Sequence, residues 1–136
     1  MSFARPIVID TGVLVSAAIR PASVPALALE KALLQFDVYV SEAAWAELQE
    51  VLMRPKFDRY AAPSIRLEFL QGLRQRTVSI AVTEDVADCQ DPKDHKFLAL
   101  AAEAELILAS DPHLTGLHPW RGIPILPPAA FLVGIR

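Results

Sequence analysis

The chain has 136 residues, of which 53% are hydrophobic and 21% charged, and its formal net charge at pH 7 is −3. That length suits one domain with a core of its own, and the acidic balance argues against the broad basic footprint that drives tight non-specific nucleic-acid binding. No uninterrupted run of about eighteen apolar residues offers a membrane span. The single Cys89 rules out an internal disulfide framework or a cysteine-built zinc site. The first residues lack the pattern of a secretory signal, so a cytosolic location without membrane contact is expected.

In chain order, Pro6–Ile9 reads as a first strand, 13–19 as a short helix broken by Pro21-Ala22-Ser23, and Val24–Gln35 as a second helix. A second strand is predicted over Asp37–Val40. Ser41 is a good N-cap for a helix running to about Met53, which Arg54-Pro55 terminates. Residues 64–75 read as another helix and 77–82 as a third strand. A polar link over 83–90 precedes Asp91-Pro92, which starts a helix reaching Ala104. Strand four is expected over 106–109, strand five over 123–126, and a last turn of helix over 128–132. Pro119, Pro124, Pro127 and Pro128 mark the fifth strand as an edge strand. This alternation predicts an α/β domain, a mostly parallel sheet of about five strands covered by helices on both faces.

The first and fourth strands are followed by aspartates, Asp10 and Asp111. In an open parallel sheet the carboxyl ends of the strands form the functional crevice, so two carboxylates delivered there converge although far apart in sequence. Helix N-capping is the structural alternative for both, and Asp111-Pro112 has the form of a cap followed by proline. Glu47 lies roughly 60° outside the apolar arc of its helix, within reach of a cleft beside the core. Asp91 and Asp94 compete for one role. Asp91-Pro92 reads as a cap, whereas Asp94 shares a helix side with Phe97, Leu98, Ala101 and Ala102, where a carboxylate needs a partner. Asp94 is therefore taken as the ligand and Asp91 as a supporting residue. Four acids at one cleft repel, and a bound divalent cation relieves that repulsion. The chain reads as a metal-dependent enzyme.

Arg54, Lys56, Arg59, Arg66, Arg74 and Arg76 crowd the middle third and are suited to a phosphate backbone, with Arg54, Lys56 and Arg59 the nearest to the acids in sequence. A solvated helix-and-loop surface is the alternative. His95, His113 and His118 have no spacing that presents two imidazoles on one face; His113 lies near enough to Asp111 to support it, but a surface histidine is the favoured reading.

The segment from Asp10-Thr11-Gly12-Val13 to Ala17, the 41–57 stretch with Glu47 and Arg54-Pro55-Lys56-Phe57, Asp91-Pro92-Lys93-Asp94-His95-Lys96-Phe97-Leu98, and Ser110-Asp111 together resemble the PIN-domain family. More narrowly, they resemble the branch that acts as toxins of toxin–antitoxin systems. The resemblance spans nearly the whole chain and implies a PIN-like three-layer α/β/α sandwich. It implies a magnesium- or manganese-dependent ribonuclease in which Asp10, Glu47, Asp94 and Asp111 hold one or two Mg2+ or Mn2+ ions. It further implies an RNA substrate, a homodimer, and an antitoxin protein that occupies the cleft.

Two positions depart from the family pattern. The usual asparagine two residues after the first aspartate is Gly12, and the usual threonine two before the last aspartate is Ala109. Outer groups of this kind orient ligands, and losing one weakens metal affinity or activity roughly 10- to 100-fold. Thr11 and Ser110 are the residues placed to substitute. The departures support a second expectation, a catalytically weak or inactive PIN-fold module that binds RNA or a protein partner. A phosphoryl-transfer enzyme with Asp10 as nucleophile is disfavoured because Gly12 stands where a second aspartate is needed. No Gly-rich phosphate loop or dinucleotide fingerprint is present.

Overall fold

A computed structural model describes residues 2–82 and 93–134, with the backbone alone at Lys93, Asp94 and Lys96. The predicted link over 83–90, Cys89 and Asp91 lie outside the described residues. The chain runs β1 (Pro6–Ile9), α1 (Thr11–Ile19), α2 (Val24–Gln35), β2 (Asp37–Val40), α3 (Glu42–Leu52), a 3-10 turn (Pro55–Phe57) and α4 (Pro63–Arg76). It continues through β3 (Val78–Ser79), α5 (Lys93–Ala101), β4 (Leu106–Leu108), α6 (Pro112–Thr115), β5 (Ile125–Leu126) and α7 (Pro128–Gly134).

All strand pairings are parallel, in the order β3-β2-β1-β4-β5. β1 is central, with Ile7 opposite both Val38 and Leu106, and Ile9 opposite Leu108. Side chains of a strand alternate between faces, and that alternation divides the core. Ile7, Ile9, Val38, Val40, Leu106 and Leu108 pack with α1 to α4 and α7, whereas Val8, Ile107, Ala109 and Ile125 pack with α5, α6 and Trp120. Burial on both faces explains why β1 and β4 are apolar throughout. The result is the expected three-layer α/β/α sandwich.

Several predicted boundaries move. The first helix begins at Thr11 rather than 13, because Asp10 caps it. The fifth helix ends at Ala101, where tighter bonds from Glu103 N–H to Leu100 O (3.1 Å) and Ala104 N–H to Ala101 O (3.0 Å) turn the chain toward β4. The third strand shortens to two residues, with Ile80 N–H still donating to Val40 O at 2.9 Å. The fifth strand loses 123–124 because Ile123 pairs back on Trp120 across Arg121 (φ 50°) and Gly122 (φ 78°). Two positive φ values in succession are the geometry of a tight reverse turn, for which Gly122 is suited. Both two-residue strands lie at sheet edges, as the prolines foretell for β5. Among the described residues no single helix is long and apolar enough to cross a membrane.

Candidate active site

From β1 the sheet grows in one direction to β2 and β3, then in the other to β4 and β5. The reversal opens a crevice beyond the carboxyl ends of β1 and β4. Asp10 stands at the first of these ends and Asp111 just past the second. They line one cleft of about 520 Å3 together with Thr11, Glu47, Phe97 and Ser110.

Asp10 is 4% exposed. One carboxylate oxygen, Oδ1, accepts from Val13 N–H at 2.7 Å and caps α1; the other, Oδ2, accepts from the backbone N–H of Ser110 (2.9 Å) and Asp111 (3.3 Å). Burial pushes its pKa above the ordinary 3.8, the three amides oppose that shift, and the charge of Asp111 adds to it. No cationic side chain among the described residues forms an ion pair with it. Capping and facing the cleft, weighed as alternatives in the sequence, coexist in this one side chain.

Asp111 does the same at the other strand. It caps α6, its Oδ1 accepting from His113 N–H at 2.9 Å, and remains partly open to the cleft. His113 Nδ1 lies 3.6 Å from the same oxygen, with the imidazole exposed at the surface. Glu47 is exposed on α3 and lines the cleft wall, in keeping with its place beside the apolar arc. The α3 helix is aimed there because Ser41 Oγ accepts from Ala44 N–H (3.1 Å) while Trp45, Leu48 and Leu52 are buried. Asp94 is the second residue of α5, one turn before Phe97, which lines the cleft; its side chain lies outside the described residues.

Gly12 and Ala109 have different consequences. A Cβ at position 12 would stand 3.5 Å from Ser110 Oγ and 3.7 Å from Asp10 Oδ1, so the Ser110 hydroxyl sits beside the space that a longer side chain at 12 would fill. Ala109 is fully buried in the core with Val8 and Ile107 and does not line the cleft. The missing threonine therefore bears on packing before chemistry.

The basic cluster is largely consumed internally. Arg66, expected on a solvated surface, is fully buried, donating to Leu52 O (2.8 Å), Arg54 O (3.2 Å) and Ala61 O (3.0 Å) and pairing with Asp58. Its four partners run from Leu52, the last residue of α3, to Ala61 and so bracket the loop that it holds. Arg54 pairs with Glu50 (2.8 Å), Arg74 with Glu42 (3.0 Å) and Arg76 with Glu30 (3.1 Å). His118 is structural, its Nδ1 accepting from Ile125 N–H at 2.9 Å beside β5.

Most of one wall escaped sequence reasoning. Val15, Ser16 and Ile19 continue along α1 the row that Thr11 begins and line the cleft with it, and the helical recurrence from Thr11 to Val15 and Ile19 was the available signal. A wider groove of about 710 Å3 runs along α3 from Ala43 to Arg54 and shares Thr11, Glu47, Val51 and Phe97 with the first.

Carboxylate oxygens are the hard donors that Mg2+ and Mn2+ prefer. The buried Asp10, which pairs with no cationic side chain among the described residues, fits such an ion beside Asp111. Among the described residues, no three His, Cys, Asp or Glu side chains group closely enough to hold a metal by themselves. A protein-family model described as PIN domain matches residues 6–113. No curated protein matches the chain.

Proposed function

The chain belongs to the PIN-domain family, whose fold is of the nuclease type and generally metal-dependent, and from that membership we propose that it is an endoribonuclease dependent on Mg2+ or Mn2+. The observation that carries the reading is the convergence of Asp10 and Asp111 at the reversal point of the sheet, with Glu47 on the facing wall.

In this reading Asp10, Glu47, Asp94 and Asp111 hold one or two ions. When bound, such ions supply Lewis-acid activation of water and neutralisation of phosphodiester charge. The protein's own share is orientation. Three backbone amides fix both oxygens of Asp10, so its carboxylate is set before anything binds. The helix-capping bond to His113 N–H holds one oxygen of Asp111, which lines the same cleft. Thr11 and Ser110 place hydroxyls beside these acids, and Ser110 occupies the role that Gly12 leaves open. Asp91, three residues before Asp94 in the sequence, has the supporting role.

By resemblance the enzyme is the toxin of a toxin–antitoxin pair, cytoplasmic, homodimeric, and silenced by an antitoxin protein that covers the cleft. Arg54, Lys56 and Arg59 contact the RNA.

The deciding experiment is cleavage of structured and single-stranded RNAs with Mn2+, Mg2+ or EDTA, beside Asp10→Asn. Metal-dependent cutting lost in the variant supports the nuclease. The bare Gly12 beside Asp10 favours a second reading, a PIN-fold module that binds without cutting. Thermal stabilisation by metal without cleavage of any RNA identifies that module.

A further inference from the structure

We propose that Tyr60, flanked by Arg20 and Arg59, is a stacking platform for a base of a single-stranded nucleic acid whose backbone then follows α1 to Asp10. The direction toward Asp10 rests on the nuclease reading; the platform itself does not.

The cleft and the platform share one wall. Val15, Ser16 and Ile19 line the cleft along α1, and the next residue, the exposed Arg20, carries its guanidinium 5.8 Å from the centre of the Tyr60 ring. Nine helical residues separate Asp10 from Arg20, a path of roughly 15 Å. Arg59 lies 5.2 Å from the Tyr60 ring, which is 48% exposed. Phe57 lines the far end of the cleft, with Lys56 Nζ 5.2 Å from its ring.

Positive charge gathers at this place. Arg5, Arg54, Arg66, Arg74 and Arg76 each pair with a carboxylate. Among the described residues no carboxylate pairs with Arg20, Lys56 or Arg59. In a chain of net charge −3, three cations that pair with no carboxylate among the described residues, around the exposed Tyr60 ring and the half-buried Phe57 ring, form a local anion-binding site, and the aromatic face selects a flat ligand. Bases stack on aromatic rings and on guanidinium planes alike, whatever their sequence. Single strands are favoured because the bases of a duplex have no exposed faces to offer.

The platform is also rigid. Arg66 ties Leu52, Arg54, Asp58 and Ala61 to one buried guanidinium, and these four residues bracket the loop that carries Lys56, Phe57, Arg59 and Tyr60. A preset ring loses little freedom when a base arrives.

The test is fluorescence anisotropy in EDTA, which suppresses cutting, with a labelled oligouridylate, an oligodeoxythymidylate and a hairpin duplex. Circular dichroism verifies that each variant is folded. Tyr60→Ala is expected to weaken single-strand binding roughly 5- to 100-fold with the salt dependence unchanged, and Tyr60→Phe to keep most of the affinity. Arg20→Ala and Arg59→Ala should each flatten the slope of log K against log salt by about 0.7. Selective loss with either sugar supports the platform. No single-strand binding, affinity of Tyr60→Ala within twofold of wild type, or equal loss in Tyr60→Phe and Tyr60→Ala overturns it. Wild type that cuts RNA while Tyr60→Ala binds normally removes the platform and leaves the nuclease. Wild type that cuts nothing but shows the Tyr60 dependence removes the nuclease and leaves the platform.

Discussion

Asp10 Oδ2 accepts the backbone N–H of Ser110 at 2.9 Å, joining residues a hundred positions apart in the chain. The main-chain ladder has just ended there, its last rung running from Asp10 N–H to Leu108 O at 2.9 Å. The side chain thus extends the β1–β4 pairing by one step beyond the strands, and it does so at the place where the cleft opens.

Asp10→Asn is expected to abolish cleavage and to change the response to pH. Burial raises the folded pKa of Asp10 above 3.8, so at pH values between the two the folded chain binds more protons than the unfolded one. Stability without metal therefore falls as pH rises from about 3.8 through the folded pKa. Thermal melts in EDTA at several pH values should show Asn gaining relative to wild type across that window. A constant difference would contradict the assignment. An amide cannot accept at both ends, so Asn also loses either the Val13 bond or the Ser110 and Asp111 bonds, which lowers the whole curve by a pH-independent amount.

Divalent metal should restore what burial costs. At a hundredfold excess over its Kd, Mg2+ or Mn2+ is expected to stabilise wild type by about 2.7 kcal/mol. Asp10→Asn should lose most of that gain. Equal melting shifts in both proteins would place the ion elsewhere.

Asp111 has a capping role that can be separated from its chemistry. Asparagine keeps an N-cap and alanine does not, so Asp111→Asn should stay within about 0.5 kcal/mol of wild type while Asp111→Ala loses about 1 kcal/mol. Both are expected to lose cleavage. Urea titration beside an activity assay distinguishes the two roles, and an active Asp111→Asn would leave only the cap.

Arg66→Met removes a buried hub. The carbonyls of Leu52, Arg54 and Ala61 lose their donor, at a cost expected to reach about 3 kcal/mol or more. Denaturant unfolding measures it, and limited proteolysis should show the first new cut between residues 54 and 61. A shift under 1 kcal/mol would mean that the loop is held by other contacts.

Gly12→Ala is expected to stabilise the fold by about 0.5–1 kcal/mol. The residue is helical, and the added Cβ approaches no atom closer than 3.5 Å. A melting temperature unchanged or lowered would refute this.

The parts of the molecule legible in the sequence are those governed by local rules. The apolar runs at Pro6–Ile9 and Leu106–Leu108, the caps Asp10, Ser41 and Asp111, and the helix stop at Arg54-Pro55 all stand where short-range chemistry puts them. Arg66 was illegible because its partners are carbonyls 5 to 14 residues away, and no pattern of side chains marks a main-chain oxygen. The lengths of β3 and β5 were overstated because an edge strand ends where its one neighbour stops pairing. Ala109 and Ser110 show the sharpest limit. Adjacent in sequence, one is buried in the core and the other is exposed at the cleft, and only the end of β4 at Leu108 decides which is which.

The strand order also has a consequence in time. β1 lies between β2, which arrives within thirty residues, and β4, which arrives about a hundred residues later. During synthesis the N-terminal part of the chain emerges and begins to order first, and throughout that interval it carries Asp10 and Glu47 without Asp111. The set of acids facing the cleft is therefore completed only late in synthesis, when Asp111 follows β4.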